Sequence, residues 1–263
     1  MCFVCNQSAK MLSIDGYRIC KHCETYIAKV LPDNREVQKV LEEHASLYIL
    51  GVHETLDFHT HATRLAMIKK FSGSTHTILD FGCGKGNFVK FARAKGYKAF
   101  AYDKSESIKK HLFVQAIPFY KNLWEIPDNY FDVITCFDVI EHTTNPRFII
   151  REMKQKLKKH GILVISTPNA QGLSAKILGK RWWVFGPAGH FILFSIYSLQ
   201  LLLSNMGLKV LDINTDTLTP WFTPSEKLLS KILNKVIYLV LLPFQKLLFN
   251  NYLGDNIQLV ARR

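Results

Sequence analysis

The chain has 263 residues, 48% of them hydrophobic and 21% charged. That balance excludes a disordered chain and allows one medium domain with a full core beside a small accessory module. No stretch reads as the roughly 18 continuous apolar residues of a membrane span, and no basic region followed by an apolar run opens the chain, so neither a span nor a signal peptide is expected. The formal charge of +13 is scattered over Lys154–Lys159, Lys176–Arg181 and Lys227–Lys235, which fits a solvated basic surface as well as an anionic partner such as nucleic acid.

Four of the six cysteines, Cys2, Cys5, Cys20 and Cys23, form a C-x2-C-x14-C-x2-C pattern at the N-terminus. Between the pairs, Met11–Ile14 and Tyr17–Cys20 read as short strands joined by Asp15-Gly16, a strong two-residue hairpin turn. Folded back, the hairpin brings both pairs to one end, where four thiolates can surround a tetrahedral ion. Residues 1–30 thus resemble a zinc ribbon holding structural Zn2+, with Asn6 and Glu24 where glycine often follows each pair. About 25 residues bury too little surface to fold alone, and a metal would supply the missing stability. A redox dithiol reading would want a βαβ context that is missing here. Disulfides are not expected without a secretion signal.

Residues 31–72 read as a helical connector, with helical spacing over Arg35–Leu50 and Glu54–Phe71. In the second helix Leu56, His59, Thr63, Ala66 and Met67 line one face, and His53, His59 and His61 read as helix surface and caps. An alternation follows. Strands are expected at Thr77–Phe81, Lys98–Tyr102, Phe131–Phe137, Ile162–Ser166, Lys209–Ile213 and Asn256–Ala261, with helices at Asn87–Ala94, Ser105–Val114, Asn145–Leu157 and Ser198–Met206. Strand and helix in regular turn predict an α/β fold, a parallel sheet covered on both faces with ligands beyond the carboxyl ends of the strands.

The segment ILDFGCGKGNF (78–88) carries the first chemical signal. It is not a Walker loop, because no Ser or Thr follows Lys85. It is not a regular dinucleotide loop either, since it reads GxGxG and not GxGxxG. Asp80, two places before Gly82, would repel a pyrophosphate and attract a ligand with a positive end. S-adenosylmethionine has an ammonium and a sulfonium and no phosphate. At the end of the next strand Asp103 is placed to accept both ribose hydroxyls, a feature shared with NAD enzymes.

With DFGCGKG (80–86), AYDKS (101–105), FDVITCFDVIEH (131–142) and LKKHGILVISTPN (157–169) in that order, the chain resembles the class I methyltransferases that use S-adenosylmethionine. GKRWWVFGPAGHFILFSIYSLQLLLSNMGLKV (179–210) resembles a stretch common in bacterial members. The resemblance covers most of the chain after residue 73. It implies a Rossmann-like sheet of seven mostly parallel strands with the last antiparallel, and a methyltransferase domain over 73–263 carrying a helical insertion at 216–252. It implies that Gly82, Cys83, Gly84 and Gly86 face the cofactor's amino-acid part, with Asp80 orienting the ammonium. Asp103 would hold the ribose, Lys104, Asn122 and Leu123 the adenine, and Phe137 and Asp138 the methionine part.

Methyl transfer needs alignment above all, and an oxygen acceptor also needs a base. His142 and His190 are the candidates, each with a structural role as the alternative. Asp138, Glu141 and His142 are a further option for a divalent ion, as some quinone-pathway relatives imply. Trp182, Trp183 and Phe185 form either a wall for an apolar acceptor or ordinary packing. Residues 225–249 place Lys227, Lys231 and Lys235 on one helical face and turn apolar all round from Val236 to Leu242. Packing on the sheet is slightly favoured there over peripheral contact with an anionic membrane or a dimer contact. The acceptor expected is small or lipid-linked, a saccharide or quinone precursor, in a cytoplasmic enzyme with peripheral contact to the inner face of the membrane as an option. RNA or protein methylation using the ribbon and basic surface, or a non-catalytic cofactor-binding role, stands as the alternative.

Overall fold

The computed structural model describes residues 2–8, 10–14, 16–49, 58–73, 77–185, 189–218 and 228–263. The N-terminal hairpin forms as expected, β1 (Met11–Ile14) against β2 (Tyr17–Cys20), and continues into β3 (Tyr26–Ala28). Two helices follow, α1 (Asn34–Ile49) and α2 (Phe58–Ser72). The alternation then runs β4 (Thr77–Phe81), α3 (Asn87–Ala94), β5 (Lys98–Tyr102), α4 (Glu106–Val114), β6 (Phe119–Tyr120), β7 (Phe131–Phe137), α5 (Pro146–Lys156) and β8 (Leu157–Pro168). After it come α6 (Leu173–Leu178), β9 (Ile192–Leu193), α7 (Ile196–Asn205), β10 (Lys209–Asp216), α8 (Leu228–Leu241), α9 (Gln245–Asn250) and β11 (Asn256–Arg262).

The main sheet has seven strands in the order β10-β11-β8-β7-β4-β5-β6. β11 runs antiparallel to both neighbours and the rest are parallel, so the fold is the Rossmann-like α/β arrangement the motifs imply. Strand order reverses at β4: the chain moves outward to β5 and β6, then returns to β7 on the other side. That reversal opens a crevice at the carboxyl ends of β4 and β7. The third strand of the alternation has only two residues, which is why no period-2 pattern marks it.

The second helix buries a different face from the one hydrophobicity picks out. His61, Arg64, Leu65 and Ile68 are buried, while Thr63 and Ala66 are exposed. Leu56 and His53 lie outside the described residues. His61 is therefore no surface histidine; its ring packs on Phe88 and Phe91.

The ribbon does not stand apart. β3 pairs with β9, which makes a second sheet β1-β2-β3-β9 from the N-terminal hairpin and a strand far along the chain. Trp182 is fully buried in the cluster that joins them, among Tyr17, Val184 and Leu193, with Phe185 against Tyr17 and Tyr26. Trp182 and Phe185 thus take the packing reading.

Two expectations about 225–249 are corrected. Helical residues Ile232–Asn250 reach a mean hydropathy of 1.6 over 19 residues, enough by length and composition for a membrane helix. Nor does α8 pack on the sheet: Ile232, Val236, Tyr238, Leu239 and Val240 are all exposed. A helix this apolar is expected to be covered by a core or by lipid, and its most apolar stretch is not buried inside the protein.

Candidate active site

The cysteine cluster is built by two matching turns. In each, the residue after the second cysteine adopts the left-handed conformation, Asn6 and Glu24 both at φ 60°. Its backbone N–H closes back on the first cysteine's carbonyl, Asn6 on Cys2 and Glu24 on Cys20, both at 2.8 Å. The left-handed turn that glycine commonly supplies is thus made without it. Cys2 Sγ lies 3.8 Å from Cys23 Sγ, and Cys5 Sγ lies 3.8 Å from Cys20 Sγ. Four ligands about 2.3 Å from a tetrahedral zinc stand about 3.8 Å apart, so the buried donor set fits that ion. The contact with Cys23 Sγ, helped by the Val4 and Cys5 backbone N–H groups, pulls the Cys2 thiol down to about 5. The same contact pushes Cys23 up. Glu24→Gly is expected to stabilise the metal-loaded protein by about 1 kcal/mol, because a side chain at positive φ costs about that much. A thermal melt with zinc present checks it.

The second site is a cavity of about 790 Å³ at the strand-order reversal, walled by α1, α2, the glycine loop and the segment after β7. Asp80, Gly82, Cys83, Gly84, Asp103, Lys104, Leu123, Phe137, Asp138, His142 and His190 all line it. Two expected residues do not. Gly86 caps α3 at φ 73°, where an added Cβ would collide with Leu112 of α4 and with Ile117 just after it, so its lack of a side chain serves close packing there. Asn122 donates to Glu125 at 2.8 Å and borders a separate surface groove.

Each lining group is held by its element. Gly82 has φ 77°, and an added Cβ would run into Val139, so only glycine lets the loop turn there. Asp80 accepts from Thr135 Oγ1 at 2.7 Å across the β4–β7 pair. Asp103 accepts from the Gly84 N–H at 3.0 Å and the Ser105 N–H at 2.9 Å, so it ties the glycine loop to the start of α4. Burial raises the Asp80 and Asp103 carboxyls to about 6 each. α1 closes over this end: Glu42 accepts from Ser105 Oγ and from the Glu106 and Ser107 N–H groups at the α4 N-terminus.

Arg64 is the residue that the sequence pattern hid. Its buried guanidinium lies 3.9 Å above the Phe137 ring, pairs with Asp138 at 3.2 Å and lines the cavity. Its Nε has no hydrogen-bond partner among the described residues. A buried cation with a spare donor suits an anionic ligand group such as a carboxylate. Asp138 itself holds φ 57°, an uncommon backbone for a side-chain-bearing residue, and also accepts from Ser166 Oγ.

At the other end stand three imidazoles. The His142 and His190 ring centroids are 4.8 Å apart, and His44 of α1 lies 5.8 Å from His142. His142 Nδ1 faces the Gly189 carbonyl at 2.9 Å, and His190 Nδ1 faces the Val184 carbonyl at 2.8 Å. A carbonyl only accepts, so each Nδ1 carries the proton and each Nε2 keeps its lone pair. Burial, helped by His190, lowers His142 to about 3, and burial lowers His190 too; both rings are neutral near pH 7. Trp183 borders the same end, its ring 6.2 Å from His190. Glu141 is buried behind them, accepts from Thr167 Oγ1 and is raised to about 8, first by burial and then by Asp138. Ligand atoms of Glu141, His142 and His190 come within 4.8 Å of one another, whereas Asp138 is engaged by Arg64 and Ser166.

A glycine loop, two acidic strand ends and a crevice at the reversal of strand order define a Rossmann-like protein for a nucleoside-bearing cofactor. A family model described as a methyltransferase domain matches residues 52–213, more than half of the chain, and the chain belongs to that family. Ubiquinone biosynthesis O-methyltransferase of Rickettsia typhi is 32% identical over 103 residues, 35% of this chain and 41% of that protein. The protein of that name in Rickettsia canadensis is 34% identical over 110 residues, 39% of this chain and 46% of its own length. The chain thus spans less than half of these relatives. Among solved structures, a Burkholderia thailandensis 1,6-didemethyltoxoflavin-N1-methyltransferase with bound S-adenosylhomocysteine superposes at a TM-score of 0.58, with 17% identity over 97% of this chain and 99% of that one. A SAM-dependent methyltransferase from Archaeoglobus fulgidus gives 0.54, with 21% identity over 78% and 93%. At these identities the likeness shows the fold, and the cyclase SpnF, at 0.59 and 19% over 89% and 97%, shares it too.

Proposed function

We propose that the chain transfers a methyl group from S-adenosylmethionine to a small or lipid-linked acceptor of the quinone-precursor type. The carrying observation is one cavity with a cofactor end, Asp80, Asp103 and Arg64, and an acceptor end, His142, His190 and Trp183. S-adenosylmethionine, when bound, supplies an electrophilic methyl carbon on a sulfonium. Asp80 would meet its ammonium, Arg64 its carboxylate and Asp103 its ribose hydroxyls, with Lys104 and Leu123 towards the adenine. Phe137 and Asp138 would border the methionine part. His142 Nε2 would accept a hydrogen bond from the acceptor hydroxyl, orient it and stand as the first base candidate. His190 is the second base candidate, and Trp183 offers an apolar face for a ring. The relatives' names support an oxygen acceptor of quinone-precursor type.

The ribbon would carry one structural Zn2+ on Cys2, Cys5, Cys20 and Cys23, with no open coordination position and no catalytic part. We place the enzyme in the cytoplasm, peripheral to the inner face of the membrane, a location that the exposed apolar arm supports. RNA or protein methylation finds less support: the ribbon is packed through β3 against β9, beside the segment that carries His190, and is not a module held out to grip a polymer.

The test is transfer of labelled methyl from S-adenosylmethionine to cell extract split into lipid, saccharide, protein and RNA fractions. Label in the lipid or small-molecule fraction is expected; label confined to RNA or protein would overturn the acceptor class. A pH dependence follows from the two carboxyls. Both are raised from the usual value near 4 to about 6, so across that window the folded chain without cofactor holds more protons than the unfolded one, and its stability falls as pH rises. Affinity for the cofactor should move oppositely, because its ammonium favours ionised carboxylates. Titration calorimetry is expected to show binding about ten- to a hundredfold weaker at pH 5 than at pH 7. An unchanged affinity would remove both carboxylates from the cofactor site.

A further inference from the structure

We propose that the α8–α9 arm is an interfacial anchor that lies in an anionic lipid leaflet and turns the acceptor end of the cavity towards that leaflet. The arm, residues 228–250, is about 35 Å long at 1.5 Å per residue. Its exposed apolar side chains point three ways at about 100° per residue: Ile232, Val236 and Leu239 on one side, Leu233 and Val240 on a second, Tyr238 and Leu242 on a third. A helix lying in the interface sinks its apolar sides below the headgroups and keeps its cations at them. No acidic residue occurs from Lys227 to Leu253, and the exposed Lys235 and Lys246 suit anionic headgroups. Both ends of the insertion return to adjacent strands, with Asp216 of β10 opposite Asn256 of β11. The chain therefore leaves and re-enters on one side, as an anchor lying in the interface does.

The point of return sets the orientation. Asn256 pairs with Pro168 at the carboxyl end of β8, the sheet edge that also carries the cofactor loop. There the arm's base is tied to α6: the Leu173 N–H donates to the Leu253 carbonyl, and Ser174 donates to Asp255. Exposed Tyr252 at the arm's base and Ile177 on α6 continue the apolar surface, and the chain after α6 runs directly to half-exposed Trp183 at the acceptor end. An acceptor dissolved in the same leaflet would reach the cavity past that tryptophan. This route rests on the methyltransferase reading for what the cavity does; the anchor itself does not.

The experiment is flotation of the full-length protein with vesicles of phosphatidylcholine, with and without phosphatidylglycerol. Co-flotation about tenfold stronger with phosphatidylglycerol is expected, falling with salt and with Lys235→Ala plus Lys246→Ala. The triple variant Val236→Asp, Leu239→Asp, Val240→Asp should stay with the soluble fraction while binding S-adenosylhomocysteine as the wild type does. Brominated phosphatidylcholine should quench tryptophan fluorescence, less so in Trp183→Phe. Wild-type protein that floats with neither vesicle overturns the proposal, as does a triple variant that floats unchanged. An oligomer that the triple variant breaks, with no vesicle binding, assigns the arm to a second copy and also overturns it. Quenching unchanged in Trp183→Phe overturns the orientation. Failure of S-adenosylmethionine binding would strike the methyltransferase reading and leave flotation untouched.

Discussion

Cys20→Ser is expected to break the four-thiolate site, unfold the ribbon and loosen the segment that carries His190. An intact four-thiolate site contributes on the order of 10 kcal/mol to a small domain that cannot fold without it. Here the loss travels further, because the hairpin is joined to the acceptor side. Tyr17 Oη donates to the His190 carbonyl at 2.9 Å, the Ala28 N–H donates to the Phe191 carbonyl, and Ser195 Oγ donates to the Cys23 carbonyl. With β1–β3 unfolded, β9 loses its strand partner and His190 its support. The proposed cofactor end rests on β4, β5 and β7, and none of these three hydrogen bonds is made by its lining residues Asp80, Asp103 or Arg64. Metal analysis should fall from about one zinc per chain to none, the melting temperature should drop, and methyl transfer should fail. Binding of S-adenosylhomocysteine should stay within about threefold, under 1 kcal/mol. A variant that keeps one zinc, or loses it with an unchanged melt, would refute the structural site. Loss of cofactor affinity in step with zinc would show that the two ends of the cavity are not independent.

His142→Ala should lower kcat by about 10²–10⁴-fold, the usual span for removing a general base. KM for S-adenosylmethionine should barely move, because the imidazole lies at the acceptor end. His142→Gln keeps a hydrogen-bond acceptor without a basic nitrogen, so it separates alignment from proton transfer. If it restores most of the rate, His142 orients the hydroxyl and does not take the proton. The His142 ring is held near pKa 3, so its titration leaves no limb on a pH–rate profile above pH 5. The acid limb expected near pH 6 belongs to Asp80 and Asp103, and it should persist in His142→Gln.

The parallel sheet and the cavity lining at its strand ends were legible because their signals are local. Asp80, Gly82 and Gly84 fall within five residues, and Asp103 closes one βαβ unit further on. Arg64 was hidden because hydrophobic periodicity assumes that the inward face of a helix is apolar. In α2 that face carries a histidine and an arginine, and the apolar count points elsewhere. At Gly86 the packing against Leu112 is invisible in the sequence, because a glycine kept for packing looks the same as one kept for a ligand. The pairing of β3 with β9 joins residues more than 160 positions apart through two short strands, and neither strand announces a partner. The arm at 225–249 was read as ambiguous because apolar residues serve a core and a bilayer equally well. Only the absence of a neighbour separates the two.

β11 comes late in the chain yet sits between β8 and β10, not at an edge. Until residues 256–262 emerge from the ribosome, both of those strands present open hydrogen-bonding edges, and the sheet exists as two unjoined parts. The apolar arm is synthesised immediately before the strand that closes the gap. During that interval a nascent chain displays a sticky helix and two raw strand edges at once, the combination that invites self-association. Translation near a lipid surface would shelter the helix first and leave β11 to zip the sheet afterwards, so yield of soluble protein should depend on where, and how slowly, residues 228–262 are made.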